Sequence, residues 1–312
     1  MRFFSHLAAK DYPFNIPNEF LKVCTPAMEL ISFDPFKSEE NIAIPINGLK
    51  STVRYSLNEP LTHSFVLKAF HSNIVARASE NSPAADAHYI VAPMHHLSQI
   101  FQGKKHLAIR TADCLAVVFI CECANYFFGA VTHAGWRGLT QGIVQNTLEQ
   151  LINEALAVGV SIETFLSALH VHVAPAIFGV SYECGEDVAQ ALEQHKDSLK
   201  HKYQNFRQFE QLYQLLANVQ KDPCLVEIVN DLLLLNQQSI RLPGKVFPDL
   251  QLLVAIECLV SGIPTQNIEV FRENTYSHPT LFSFREASHK KTNSSQRQWT
   301  HLSFPSLGNN PF

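Results

Sequence analysis

Two apolar runs, Leu115–Ile120 and Tyr126–Val131, constrain this chain more than any other feature. Each is too short for a buried helix and is bounded by polar or glycine-rich residues, so they read as neighbouring buried strands. Leu107–Ile109 leads into the first through the polar break Thr111-Ala-Asp-Cys114. The second ends at Thr132-His-Ala-Gly-Trp-Arg-Gly138, where Gly135 to Gly138 suggest a tight loop opening directly into a helix. That helix is marked by Ile143, Val144, Thr147, Leu148, Leu151, Ile152 and Ala155 at helical spacing, with Gly159 as its stop.

Further along, Val171 and Val173 alternate with His170 and His172 in a strand, and Glu186 to Lys196 suggest a short helix. Pro248 stands at the start of a helix whose face carries Leu250, Leu253, Val254, Glu257 and Cys258. Ile268–Phe271, Leu281–Phe284 and Thr300–Phe304 are expected as closing strands. Residues 1–60, punctuated by six prolines, read as short strands joined by turns. Strands and helices mix without βαβ alternation. The expected fold is therefore mixed α+β, a single domain of mixed β-sheet layers flanked by helices. Within it, 1–60 form a divergent N-terminal part, 61–304 a core with insertions near 92–105 and 197–245, and 305–312 a tail. The second insertion, with its Asp231-Leu-Leu-Leu-Leu run, suggests a helical hairpin.

Charge and apolar content narrow the partners. Lysine and arginine number 24 against 28 acidic residues, without a clustered basic face, so nucleic acid is not expected as a partner. No apolar run reaches the roughly 18 residues of a membrane span. The N-terminus lacks a secretory signal pattern, and seven cysteines show no disulfide framework. A monomer in the cytoplasm is the expectation.

Cys114 and His133 lie at comparable heights on two strands that would sit about 4.8 Å apart. Such a pair could share a metal, act as thiol nucleophile and base, or be an inert buried thiol beside a surface histidine. Metal chemistry needs a third donor, which local spacing does not supply. Cys121-x-Cys123 and His170-x-His172 lack the second pair a metal site would need. Trp136 suits core packing or stacking on a flat ligand.

Ala112-Asp-Cys-Leu115, His133-Ala-Gly-Trp-Arg-Gly138, Ala174-Pro-Ala-Ile177, Tyr182-Glu-Cys-Gly185, Pro248-Asp-Leu250 and Phe282-Ser-Phe-Arg285 together resemble the laccase-domain family. That family is also named polyphenol oxidoreductase laccase, peptidoglycan editing factor and purine nucleoside phosphorylase. The motifs follow the family's order over roughly residues 64 to 302. The resemblance implies a metal site of two histidines and a cysteine. The third donor falls on His71, in Ala69-Phe-His-Ser-Asn-Ile-Val75 followed by Ala85-Asp-Ala87, with His63, His95 and His96 as positional rivals. Catalytic and metal-binding roles are therefore expected of His71, Cys114 and His133, with zinc as the metal and copper as the alternative.

The resemblance implies phosphorolysis of a purine nucleoside (adenosine, inosine or methylthioadenosine), with adenosine deamination as a second activity. Nucleoside and phosphate are then the small-molecule partners, and Arg54, Arg137 and Arg285 the candidate phosphate ligands, with Arg297 matching a further family arginine. Three departures stand out. Arg54 in Lys50-Ser-Thr-Val-Arg54 is one place later than the family's Phe-Ser-Thr-Arg, without the following glycine pair. Asn274-Thr275 stands for Cys-Thr, and Phe284 and Glu286 replace a tyrosine and a second arginine. A metal-binding cell-envelope accessory factor without turnover and a Cys–His hydrolase are the rival functions. Multicopper oxidation is not expected, because it needs a further histidine cluster.

Overall fold

The two central strands are buried almost throughout, and the side to which successive side chains turn sets the layers. Leu115, Val117, Phe119 and Cys121 belong to one apolar cluster and Ala116, Val118 and Ile120 to another, so this strand has a core on each face. The computed structural model describes residues 1–5, 29–32, 43–46, 48–57, 59–79, 81–97, 103–218, 245–293 and 295–305. Along these the strands are β1 Arg2–Ser5, β2 Glu29–Ser32, β3 Ala43–Pro45, β4 Thr52–Leu57, β5 Ser64–Val66, β6 Val75–Arg77 and β7 Ala87–Pro93. They continue as β8 His106–Thr111, β9 Leu115–Cys123, β10 Tyr126–Ala134, β11 His170–Val173, β12 Ile268–Phe271 and β13 Gln298–Ser303. The helices are α1 Trp136–Thr140, α2 Ile143–Ala157, α3 Ile162–Ala168, α4 Glu186–Lys202, α5 Glu210–Ala217, α6 Leu250–Val260 and α7 Phe284–Lys290.

One sheet has eight strands, ordered β2-β1-β12-β11-β9-β10-β7-β6, and the other five, ordered β3-β4-β13-β8-β5. Both mix parallel and antiparallel pairs, in keeping with the expected mixed α+β class. Helices α2, α3 and α6 pack on one face of the larger sheet, and the smaller sheet packs on the other. Gly129 permits that second contact: a Cβ there would lie 2.7 Å from Leu302 Cδ2.

Several elements differ from the sequence expectation. Leu107–Ile109 and Leu115–Ile120 belong to different sheets, because the chain turns a corner at Asp113, whose φ is 85°. Residues Gly135 to Gly138 are not a loop: Gly135 caps the five-residue α1, and Gly142 (φ 87°) starts α2. The helix from Glu186 runs on to Lys202. Leu281–Phe284 is not a strand; the Ser283 side chain accepts from Glu286 N–H and starts α7 instead, local capping overriding a short apolar run. Of the expected helical hairpin at 197–245, the end of α4 and α5 are present, while the leucine run falls outside the described residues.

The His-x-His strand is explained by packing. His172 is buried between the sheets, its Nε2 2.6 Å from the Tyr55 phenolic oxygen and its Nδ1 3.4 Å from Glu269 Oε2. Both ring nitrogens are occupied, so His172 ties the two sheets together.

Three other histidines, His88 and His301 buried and His106 half-buried, predict acid sensitivity. Burial lowers His88 to about 3, and neither of its ring nitrogens has a well-formed hydrogen bond. Burial, reinforced by Arg54, lowers His301 to about 3 and His106 to about 4. Above about pH 6.5 all three are neutral in the folded and the unfolded chain. Below it the unfolded chain takes up protons that the folded one refuses. Stability should therefore fall by up to about 1.4 kcal/mol per pH unit per histidine as pH drops from about 6.5 towards 4.5. Urea melts across that range measure the slope. Replacing His88 by leucine should reduce it by one proton, and an unchanged slope would show that His88 protonates freely in the folded state.

Candidate metal centre

The site forms where one edge of the inter-sheet face meets a loop. Asp86, Cys114 and His133 have the same parity as His88, Ala116 and Val131, so all three point to the face between the sheets. Leu115 pairs with Ala134 and Ala116 with His133 in the antiparallel β9–β10 ladder, which makes Cys114 and His133 diagonal neighbours on one face at its end. This is the height match expected from the sequence.

His71 reaches them from the loop before β6. Its backbone is left-handed, φ 65°, which is uncommon for a residue with a Cβ. The Asp86 carboxylate holds that conformation: it accepts from the N–H groups of Phe70 (3.2 Å), His71 (2.9 Å) and Ser72 (2.7 Å) and from the Ser72 hydroxyl (2.7 Å). The same carboxylate accepts from His133 Nδ1 at 2.7 Å, and the His133 N–H donates to the Asp86 backbone carbonyl at 2.6 Å. One buried aspartate thus orients two of the three donors.

The ligand atoms of His71, Cys114 and His133 lie within 4.8 Å of one another, with Cys114 Sγ 3.9 Å from His71 Nε2. Tetrahedral zinc with bonds of about 2.0–2.3 Å needs ligand separations of roughly 3.4–3.8 Å, so a small inward movement suffices. His133 points its Nε2 towards the centre because Nδ1 is committed to Asp86, the carboxylate–histidine arrangement typical of metal sites. Gly135 leaves the space: a Cβ there would stand 3.0 Å from Cys114 Sγ and 3.1 Å from His71 Cδ2. Two imidazoles and a thiol fit zinc or copper by donor type.

The electrostatics agree. Burial opposes ionisation of Cys114, but hydrogen bonds from His133 and His71 outweigh it and bring the thiol down to about 6. Burial likewise opposes charge on His133, yet Asp86 and Cys114 raise it to about 9. Burial would raise Asp86, but His133 and Ser72 hold it well below the usual carboxylate range. Both shifts favour a thiolate–imidazolium pair of Cys114 and His133 in the metal-free protein.

Asp113 organises the opposite wall. Its carboxylate accepts from Thr275 Oγ1 (2.8 Å) and Arg285 N–H (2.7 Å), and its carbonyl from Ile177 N–H (2.9 Å). Arg285 donates from its side chain to the Glu183 carbonyl at 2.8 Å, and its charge and that of Cys114 both act on the half-buried Tyr182. Arg297 is held below its ordinary value by burial and by Arg110, with Asp113 and Cys114 acting against them. Arg137 is exposed, its guanidinium 4.4 Å from the Trp136 ring, while Trp136 packs against the helix-side core. Arg54 lies opposite His301 in the β4–β13 ladder; its Nε is buried without a partner, and its charge falls on His106 and His301.

His63, His95 and His96 are absent from the converging group, the one such group among the described residues. Asp86 and Asp113 are the residues sequence reasoning passed over. Asp86 was visible only as the middle of Ala85-Asp-Ala87, and Asp113 as the residue beside Cys114.

Fold and donors define a mixed α+β protein with a His–Cys–His centre between a sheet end and a loop. The chain belongs to the family described as multi-copper polyphenol oxidoreductase laccase, whose sequence profile matches residues 46–228, more than half of its length. It is 41% identical over 83 residues to a purine nucleoside phosphorylase of Deinococcus radiodurans, covering 27% of this chain and 29% of that one. A second purine nucleoside phosphorylase, from Aquifex aeolicus, is 37% identical over 81 residues, 26% of this chain and 32% of that one. The matches therefore span less than a third of these relatives' length. The fold is similar over a much longer stretch to a Bacillus licheniformis protein, YfiH (TM-score 0.57, 14% identity, 87% of this chain and all of that one). A Neisseria meningitidis protein is similar too (TM-score 0.54, 19% identity, 85% of this chain and 98% of that one). Among the described residues no helix is long and apolar enough to cross a membrane.

Proposed function

We propose that this chain is a zinc-dependent purine nucleoside phosphorylase acting on adenosine, inosine or methylthioadenosine. The observation that carries the reading is the convergence of His71, Cys114 and His133, three donors rather than four. A closed structural zinc site takes four protein ligands, whereas three leave room for water or substrate. The names of the two relatives point to the same reaction class.

Bound zinc would supply Lewis acidity at that open position. His71, Cys114 and His133 would hold it, and Asp86 would keep His133 in the tautomer whose Nε2 can ligate. Arg285 is the phosphate ligand we favour, since its backbone is tied to Asp113 beside Cys114. Exposed Arg137 and the unpartnered Nε of Arg54 make those two the further candidates. A guanidinium suits the role through its planar fork of donors. Phosphate then attacks the ribose anomeric carbon as the purine departs. Adenosine deamination is a second reaction we propose for the same centre.

Purified, zinc-loaded protein should release base from inosine or adenosine only when phosphate is added, and inosine should appear from adenosine. Neither product forming would sink the phosphorylase and deaminase readings together. The thiolate–imidazolium pair supports one rival, a hydrolase using Cys114 as nucleophile and His133 as base. Stoichiometric zinc, with Cys114 shielded from alkylation until a chelator is added, would count against that rival.

A further inference from the structure

Cys121 and Cys123 stand at the far end of β9 from the metal centre. Two residues apart on one strand, they leave it on the same, helix-facing side. The Cys121 thiol donates to the Cys123 sulfur at 3.2 Å. Cys121 is fully buried, 3.9 Å from the Phe165 carbonyl oxygen and beside the edge-to-face pair of Phe128 and Phe165. Cys123 is half-buried at the strand end and within reach of small solutes.

We propose that Cys121 and Cys123 form a redox-active dithiol, converted by a low-molecular-weight disulfide into a reversible intrastrand disulfide. This is independent of the nucleoside chemistry. Two residues of strand separate Cα atoms by about 6.6–6.8 Å, at the upper end of the roughly 4.4–6.8 Å a disulfide spans. A slight pucker closes the gap, and the strand has room for one. β11 pairs with β9 only as far as Ile120, so beyond it the ladder is held on one side, by Phe128 opposite Cys121 and Tyr126 opposite Cys123. The strand then runs into Ala124 and Asn125, both with positive φ. A disulfide closed under such tension is readily reduced, as reversible ones are.

The two sulfurs are unequal. The hydrogen bond from Cys121 lowers the Cys123 thiol, and that bond, followed by burial, raises Cys121. Cys123 is therefore the attacking sulfur. Its thiolate displaces one thiolate from the small disulfide, giving a mixed disulfide on Cys123. Cys121 then gives up its proton, attacks the Cys123 sulfur and expels the second thiolate. One disulfide is consumed, two thiols are released, and the protein loses two electrons and two protons. Burial instead pushes Cys184 up to about 12 and raises Cys258, which suits inert core thiols.

The zinc-loaded full chain, challenged with oxidised glutathione and mapped by peptide mass, tests this. A Cys121–Cys123 disulfide should form and be reversed by reduced thiol, with Cys123 modified at least about tenfold faster than Cys184 or Cys258. In Cys121→Ser, glutathione should remain on Cys123. A pair that stays reduced would overturn the proposal, as would Cys184 or Cys258 reacting as fast as Cys123, or a Cys123 adduct that persists in the unmutated chain. These results are read without any variant, so a folding failure of Cys121→Ser does not blunt the test.

Discussion

Cys114→Ser should empty the metal centre and reduce phosphate-dependent nucleoside cleavage to background while leaving the fold in place. Cys114 is the anionic donor of the three: hydrogen bonds from His133 and His71, prevailing over burial, bring its thiol to about 6, so it is already thiolate near neutrality. A serine hydroxyl stays protonated there and offers zinc a far poorer ligand. Losing an outer hydrogen-bond partner costs roughly 10–100-fold in metal affinity, and losing a direct ligand should cost more than that. The substitution removes no buried apolar surface of consequence, since Cys114 is only half-buried and the ladder beginning at Leu115 is untouched. Elemental analysis after dialysis against a weak chelator, with thermal melting of the metal-free proteins, separates the two effects. Full zinc occupancy in Cys114→Ser would refute the ligand assignment, while normal zinc with lost turnover would favour the cysteine hydrolase.

What the sequence made legible follows from how local each signal is. Cys114 and His133 sit at the ends of two strands joined by a short turn, and antiparallel pairing of such runs leaves little freedom of register. Their meeting could be anticipated from apolar patterning alone. His71 could not: its approach depends on a left-handed backbone held by the carboxylate of Asp86, just before β7, a contact with no periodicity to betray it. Motif order pointed to it, and the geometry explains why His95 and His96 do not compete. They lie on a short 3-10 turn beyond the opposite end of β7, after Pro93. The misread elements are those where one residue redirects the chain. Asp113 at positive φ sends β8 and β9 into different sheets, and the Ser283 cap turns an apolar run into a helix. Such decisions are made by single torsions and hydrogen bonds, which hydrophobic spacing does not record.

Asp86→Asn should weaken metal binding by about 10–100-fold and destabilise the metal-free protein by about 1–3 kcal/mol, despite the near-identical size of the side chains. Every partner of the carboxylate is a donor: the N–H groups of Phe70, His71 and Ser72, the Ser72 hydroxyl, and His133 Nδ1. An amide brings two N–H donors of its own into that ring. Facing them towards Ser72 sets donor against donor in a buried site. Facing them towards His133 instead makes Nδ1 the acceptor and moves the ring proton to Nε2, the nitrogen needed for the metal. Either orientation damages one of the two proposed histidine ligands, through the His71 loop or through the His133 tautomer. Loss of the negative charge also removes the main support for a protonated His133, whose value should fall from about 9 back towards that of an ordinary histidine. NMR titration of the metal-free protein reads that change directly, and competition with a chromophoric chelator reads the affinity. If affinity and His133 titration both match the unmutated protein, Asp86 is a bystander, and the loop carrying His71 must be held by something other than this carboxylate.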